Sequence, residues 1–76
     1  MKINLSEYVL KNSVKSKRLK RGMSQSELAE VMDVSRNSIS AIENGDTDVR
    51  LFLAMKLCVF FRCKFEDLFR LEKIEK

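Results

Sequence analysis

The sequence predicts a small all-α protein of five helices, and three observations lead to this prediction. The chain has 76 residues, which leaves room for one hydrophobic core. Its 45% hydrophobic and 34% charged residues are typical of a globular protein rather than a disordered one. It contains no Pro and only two Gly, which is unusual for an all-β protein full of turns but suits a compact helical one.

The composition also argues against several functional classes. No apolar stretch reaches the roughly 18 residues that span a bilayer, and the N-terminus lacks the features of a signal peptide. The chain has no His, so the commonest metal ligand and general base is missing. Cys58 and Cys63 cannot form a four-ligand zinc site unaided, and as free thiols they fit a reducing cytoplasm. We therefore expect a cytoplasmic protein that is not an enzyme and needs no cofactor or metal.

The net charge of +4 is unevenly distributed along the chain. Residues 1–22 carry seven Lys or Arg against one Glu, whereas residues 23–47 carry one Arg against five acidic residues. The basic stretch at residues 15–21 could bind an anionic partner, although such a run is often only a solvated helix face. A chain this short buries only about 60% of its unfolded surface, so we expect a second copy to support it.

The N-terminal third predicts helix, but its division is open. Residues 4–7 (NLSE) could form a capping box, with Asn4 as the cap and Glu7 reaching back. Either one helix runs from there to Arg21, or two pieces meet near residues 12–13. Gly22 ends the helix in both cases, because Gly is the residue favoured just past a helix C-terminus.

Two short helices follow, joined by a tight turn. Residues 24–27 (SQSE) form a capping box that opens the first of them, which ends at Asp33. Ser35 is a favourable cap for the second, which runs from Arg36 to Asn44 and ends at Gly45. This arrangement predicts a helix-turn-helix.

The face that the second helix exposes follows from its period of 100° per residue. Ile39 and Ile42 point together into the core. The opposite side carries polar or small residues, namely Arg36, Asn37, Ser40, Ala41 and Asn44. Glu43 falls near the buried side and needs a cationic partner, because an unpaired buried charge costs several kcal/mol.

The C-terminal third predicts a fourth helix from about Val49 to Phe61, capped by Thr47 or Asp48. It is apolar apart from Lys56, so one side of it should meet another subunit.

Beyond it, residues 65–69 predict a short fifth helix. The tail, residues 71–76, could extend this helix or form a strand that pairs with residues 2–5. We therefore divide the chain into an N-terminal extension (1–13), a helix-turn-helix domain (14–70) and a C-terminal tail (71–76).

Two segments carry a resemblance to a known family: residues 20–45 (KRGMSQSELAEVMDVSRNSISAIENG) and residues 64–69 (KFEDLF). They resemble the helix-turn-helix of the Cro/cI-type (XRE) family of bacterial and phage regulators. The resemblance covers roughly residues 14–69 and implies a lambda-repressor-like DNA-binding domain. It also implies that Arg18 is the partner of Glu43.

The resemblance further implies a set of DNA-binding residues. The phosphate-contacting positions are Gln25, Ser35, Ser38 and Asn44, and the base-reading positions are Arg36, Asn37, Ser40 and Ala41. The function implied is sequence-specific binding of double-stranded DNA as a transcriptional repressor. The protein would act as a homodimer, formed through helices 4 and 5, on a pseudo-palindromic operator.

Two alternatives to the repressor stay open at this point. One is an antitoxin that binds a partner protein and regulates its own expression. The other is a protein-interaction module that binds no DNA, which the acidic balance of the motif suggests. The sequence departs from the family pattern in three places. Asp33 replaces the usual Gly of the turn, and Lys17 replaces an apolar residue of the first helix. Asp46 and Asp48 stand where Lys or Arg is frequent, which would weaken a phosphate contact there.

Overall fold

The structure, a computed structural model, describes residues 1–75 and contains five helices and one two-stranded antiparallel sheet within that range. The helices are α1 (Val14–Lys20), α2 (Gln25–Met32), α3 (Arg36–Asn44), α4 (Leu51–Phe61) and α5 (Phe65–Leu68). The strands are β1 (Tyr8–Asn12) and β2 (Phe69–Lys73), and a 3-10 turn (Leu5–Glu7) precedes β1. The five-helix prediction is confirmed, and the terminal strands that it allowed are present.

The N-terminal segment does not form the helix that its local pattern predicts. The side chain of Asn4 accepts a hydrogen bond from the backbone N–H of Ser6 at 3.1 Å, but it caps only the 3-10 turn. The chain then becomes extended at Tyr8, and α1 begins at Val14. Residues 8–10 are Tyr, Val and Leu, of which Tyr and Val favour strands, and pairing with β2 overrides the local capping pattern.

The tail forms the strand that was one of its two predicted outcomes, but with another partner. β2 pairs with β1, so that Leu71 lies opposite Leu10 and Phe69 opposite Asn12. The expected partner, residues 2–5, precedes this strand. The last residue of the predicted tail, 76, lies outside the described residues.

The core lies between the helices and the start of β2. Its buried apolar residues come from every helix: Val14, Leu28, Ala29, Met32, Ile39, Ile42, Ala54, Leu57, Phe61, Leu68 and Phe69. Ile39 and Ile42 are 0% and 3% exposed, as the helical period predicts, so they fix which side of α3 faces outward.

The fourth helix starts two residues later than predicted and without a side-chain cap. Its N-cap is Arg50, which makes no capping hydrogen bond through its side chain. Thr47 instead donates its hydroxyl hydrogen to the carbonyl oxygen of Asp48 at 3.3 Å. The expected cap at Thr47 or Asp48 is therefore wrong, because these two residues belong to the preceding loop.

Only one side of α4 is buried, through Ala54, Leu57 and Phe61. The opposite side, here called the α4 apolar face, consists of four residues that are 55–78% exposed: Leu51, Phe52, Met55 and Val59.

No helix within residues 1–75 is long and apolar enough to cross a bilayer.

We expect Asp33→Gly to stabilise the fold, because Asp33 has left-handed backbone angles (φ 59°, ψ 46°) that suit Gly better. The gain in the free energy of unfolding should be about 0.5 kcal/mol. Gly relieves the strain of the left-handed angles, but it also loses more conformational entropy on folding, which offsets part of that gain. Gly45→Ala is the matched control, since the φ of Gly45 is 73° and a side chain there should cost about 1 kcal/mol. Urea unfolding measures both, and a destabilised Asp33→Gly variant would contradict this view of the turn.

Candidate nucleic-acid interface

Local hydrogen bonds define both ends of α3. The hydroxyl oxygen of Ser35 accepts from the backbone N–H of Ser38 at 3.1 Å, which is the predicted N-cap. At the other end Gly45 takes left-handed angles, and the N–H of Asp46 donates to the carbonyl oxygen of Ala41 at 2.9 Å. The helix is therefore set by its own sequence, and the core decides only which way it faces.

A buried ion pair joins α1 to α3. The guanidinium of Arg18 donates from Nε to Oε2 of Glu43 at 2.7 Å and from its second terminal nitrogen to Oε1 at 3.1 Å. The two side chains are 7% and 1% exposed. Arg18 also donates to the carbonyl oxygen of Met23 at 2.7 Å. The pairing implied by the resemblance is present, and it supplies the cation that Glu43 needs.

The electrostatic balance at Glu43 favours its charged form. Burial by itself raises the pKa of this carboxyl group. The hydrogen bonds from Arg18 and Gln25, with the charges of Arg18 and Lys15, outweigh burial and hold the pKa of Glu43 below its ordinary value of 4.5. The hydrogen bond to Glu43 likewise raises the pKa of Arg18.

The buried pair continues to the surface as a chain of hydrogen bonds. Gln25, the first residue of α2, donates from its amide nitrogen to Oε1 of Glu43 at 3.1 Å. Its amide oxygen accepts from Arg36 at 3.2 Å, and Arg36 donates in turn to Oδ1 of Asn37 at 3.1 Å. The amide of Gln25 is therefore oriented from both sides, and three of the predicted DNA-binding residues are brought together.

The other predicted residues occupy different parts of this surface. Four of the eight line an open groove of about 780 Å³ between α3 and the first half of α4, namely Ser35, Asn37, Ser38 and Ala41. Asn44 lies in a second groove, beside Lys11 of β1. Ser40 is half-buried. None of the eight predicted residues is buried.

In the second wall of the larger groove, Lys56 is a residue that sequence reasoning missed. Thr47, Asp48, Arg50 and Lys56 line it opposite α3. Lys56 donates from Nζ to the carbonyl oxygen of Met32 at 2.7 Å and lies 5.5 Å from the ring centre of Phe52. It therefore caps the C-terminus of α2, where a cation is favourable. The sequence signal for this role is that Lys56 is the one charged residue in an otherwise apolar helix.

Asn12 is the second residue that sequence reasoning missed. Its amide nitrogen donates to the carbonyl oxygen of Ile42 at 2.8 Å, and its Oδ1 accepts from the backbone N–H of Val14 at 3.1 Å. The side chain thus attaches the end of β1 to α3 and starts α1. Its position just before a helix was the only signal in the sequence.

The departures from the family pattern are visible in the same region. Lys17 is half-buried on α1, while Asp46 and Asp48 are exposed on the loop after α3.

Within residues 1–75 no group of three or more His, Cys, Asp or Glu could hold a metal ion.

Comparison with known proteins gives consistent results. Residues 14–68 match the family described as helix-turn-helix. The chain is 45% identical over 64 residues to the uncharacterized HTH-type transcriptional regulator YgzD of Bacillus subtilis, covering 84% of this chain and 97% of that protein. It is 42% identical over 66 residues to an uncharacterized HTH-type transcriptional regulator of Methanocaldococcus jannaschii, covering 87% and 100%.

A solved structure shares the fold. The crystal structure of transcriptional regulator VanUg, Form II, aligns with a TM-score of 0.74 over 97% of this chain and 99% of that one, at 17% identity. At that identity the likeness concerns the fold alone.

We expect Glu43→Gln to lower the free energy of unfolding by about 3–5 kcal/mol at pH 7, because it leaves the Arg18 charge buried and unpaired. The stability that the ion pair contributes is full above pH 4.5, the ordinary pKa of Glu, and is lost as the pH falls through the lower pKa of folded Glu43. Urea unfolding should therefore show that the free energy of unfolding of the wild type falls between pH 7 and pH 3, and that it falls less in Glu43→Gln.

The control is the double variant Arg18→Met with Glu43→Leu, which removes both charges and should recover part of the stability. A Glu43→Gln variant as stable as the wild type at pH 7 would contradict the importance of the pair.

Proposed function

Because the chain belongs to the XRE-type helix-turn-helix family of DNA-binding transcriptional regulators, we propose that it is a sequence-specific repressor that reads its operator with α3. The observation that carries this proposal is the chain of hydrogen bonds from Glu43 through Gln25 and Arg36 to Asn37. It places an exposed, oriented set of donors and acceptors at the N-terminus of a helix whose back is fixed in the core.

The base-reading roles follow from the chemistry of the major groove. Arg36 can donate two hydrogen bonds to a guanine edge, and Asn37 can exchange two with an adenine edge. The methyl group of Ala41 can contact a thymine methyl. The bond between Arg36 and Asn37 is exposed, so both side chains are free to exchange it for base edges. Ser40 is the fourth proposed reader.

The phosphate-binding roles belong to the ends of the helices. Gln25 begins α2, and Ser35 and Ser38 lie at the start of α3, where the positive end of the helix dipole favours an anion. Asn44 lies at the other end of α3, in the groove shared with Lys11. The basic residues of α1 would add a salt-dependent, sequence-independent contribution to binding.

The proposed repressor acts as a homodimer formed through α4 and α5. The α4 apolar face and Phe65 of α5, which is 48% exposed, supply the apolar surface. Phe60 is half-buried beneath Arg21, whose guanidinium carbon lies 4.5 Å from its ring centre, and it does not belong to the α4 apolar face. Two copies of α3 about 34 Å apart would read a pseudo-palindrome and block a promoter. The cytoplasmic location stays a prediction.

We expect Asn37→Ala to relax specificity at one base position of each half-site while the protein stays folded. The loss of discrimination should be about 1–3 kcal/mol, the contribution of one two-bonded base contact. Selection of bound sequences from a random DNA pool, for wild type and variant, measures it and also returns the half-site spacing. Equal losses on selected and random DNA would contradict the base-reading role. Absence of salt-dependent DNA binding in the wild type would favour the protein-interaction module.

We expect Val59→Asp to raise the dimer dissociation constant at least about tenfold, since it places a charge in an interface that would be desolvated. The matched control is Val31→Asp, the same change at a site 49% exposed on α2, outside the proposed interface. Sedimentation equilibrium measures both. Equal dimerisation of the two variants would exclude the α4 apolar face as the interface.

A further inference from the structure

β2 has one edge paired with β1 and one edge without a strand partner within residues 1–75. After Phe69, which is buried, every residue of this strand is exposed, and Leu71 is 63% exposed. An unpaired strand edge is a template for another strand, because its backbone N–H and C=O groups point outward in a row. The chain contains no Pro that would block such pairing.

The hydrogen bonds at both ends of the sheet show which backbone groups point outward. The N–H of Ile74 donates to the carbonyl oxygen of Glu7 at 2.8 Å, and the N–H of Ser13 donates to that of Leu68 at 2.9 Å. Hydrogen-bonded pairs alternate along an antiparallel ladder, so Arg70 and Glu72 direct their backbone groups to β1.

The intervening residues, Phe69, Leu71 and Lys73, therefore direct their backbone groups to the free edge. The N–H of Phe69 already donates to the carbonyl oxygen of Phe65, which ends α5. The free edge thus offers the N–H groups of Leu71 and Lys73 and the C=O groups of all three residues.

We propose that β2 pairs antiparallel with β2 of a second copy of this chain, about a twofold axis at Leu71. Each Leu71 would donate to the carbonyl oxygen of Leu71 in the other copy. Each Lys73 N–H would donate to the carbonyl oxygen of Phe69 in the other copy. The result is one four-stranded sheet with the order β1, β2, β2, β1, in which the two exposed Leu71 side chains meet.

Charge selects this register over its neighbours. At least two pairs of outward-pointing residues face one another in three registers, which are centred on residue 70, 71 or 72. In the register centred on residue 70, Arg70 faces Arg70 of the other copy. In the register centred on residue 72, Glu72 faces Glu72 of the other copy. Both arrangements are destabilising because like charges lie opposite each other. Centring on Leu71 opposes Arg70 to Glu72 twice. Within one chain Arg70 donates to Glu72 at 2.8 Å, so all four charges would form one network.

This contact is separate from the α4 apolar face and does not depend on DNA binding. A strand from a different protein would need an acidic residue opposite Arg70 and a basic residue opposite Glu72. A second copy provides both by symmetry. A pure sample that associates through this edge therefore tests the proposal without a DNA ligand.

The experiment uses two charge reversals in the full chain, Arg70→Glu and Glu72→Arg. All variants carry Val59→Asp as well, so that association through the α4 apolar face does not mask the strand contact. Alone, each variant opposes like charges twice, and we expect its self-association to weaken about tenfold by sedimentation equilibrium. Mixed in equal amounts, the two variants restore both opposite-charge pairs. Native mass spectrometry of the mixture should then show hetero-association well above the statistical proportion of about one half. A purely statistical mixture, or charge variants that associate as strongly as Val59→Asp alone, would overturn the proposal.

A second comparison tests the backbone groups. Leu71→Pro removes the outward N–H of Leu71 and no bond to β1, whereas Leu71→Ala keeps it. We expect the Pro variant to associate several-fold more weakly than the Ala variant, and equal association would overturn the pairing. A failure of DNA binding with normal charge-dependent association would overturn the proposed repressor alone, and the converse result would overturn strand pairing alone.

Discussion

The buried hydrogen-bonded ion pair between Arg18 and Glu43 is the interaction on which the rest of the structure depends. The helix that carries Arg18 has only seven residues and no side-chain N-cap, so it would not persist alone. Its only buried residues are Val14 and Arg18. The ion pair therefore holds α1 against α3. An unpaired charge at either site would be costly, which makes this arrangement of the helices specific.

The same interaction links stability to the proposed function. Glu43 uses Oε1 to accept from both Arg18 and Gln25, and Gln25 passes the orientation on to Arg36. The surface proposed to read DNA is thus organised from the core outward. In this small domain, two hydrogen-bonded residues, Gln25 and Arg36, connect the exposed side chain of Asn37 to the buried charge of Glu43.

Sequence reasoning succeeded where the determinants are local. Ser24 and Glu27 exchange the two bonds of a capping box at 3.0 and 2.8 Å, and the period of α3 places Ile39 and Ile42 inside. The N-terminal prediction failed because β1 is decided by a strand about sixty residues away, not by its neighbours. Asn12 and Lys56 were missed for the same reason, since their partners, Ile42 and Met32, are distant in the chain.

The position of the single Tyr gives the molecule an internal optical reporter. The chain has one Tyr and no Trp, so its near-ultraviolet emission is dominated by Tyr8. This residue begins β1, where it is half-buried and lies opposite Lys73 of β2. Intrinsic fluorescence therefore reports on the sheet of β1 and β2, which meets the C-terminal end of α3 through the hydrogen bond from Asn12 to the carbonyl oxygen of Ile42.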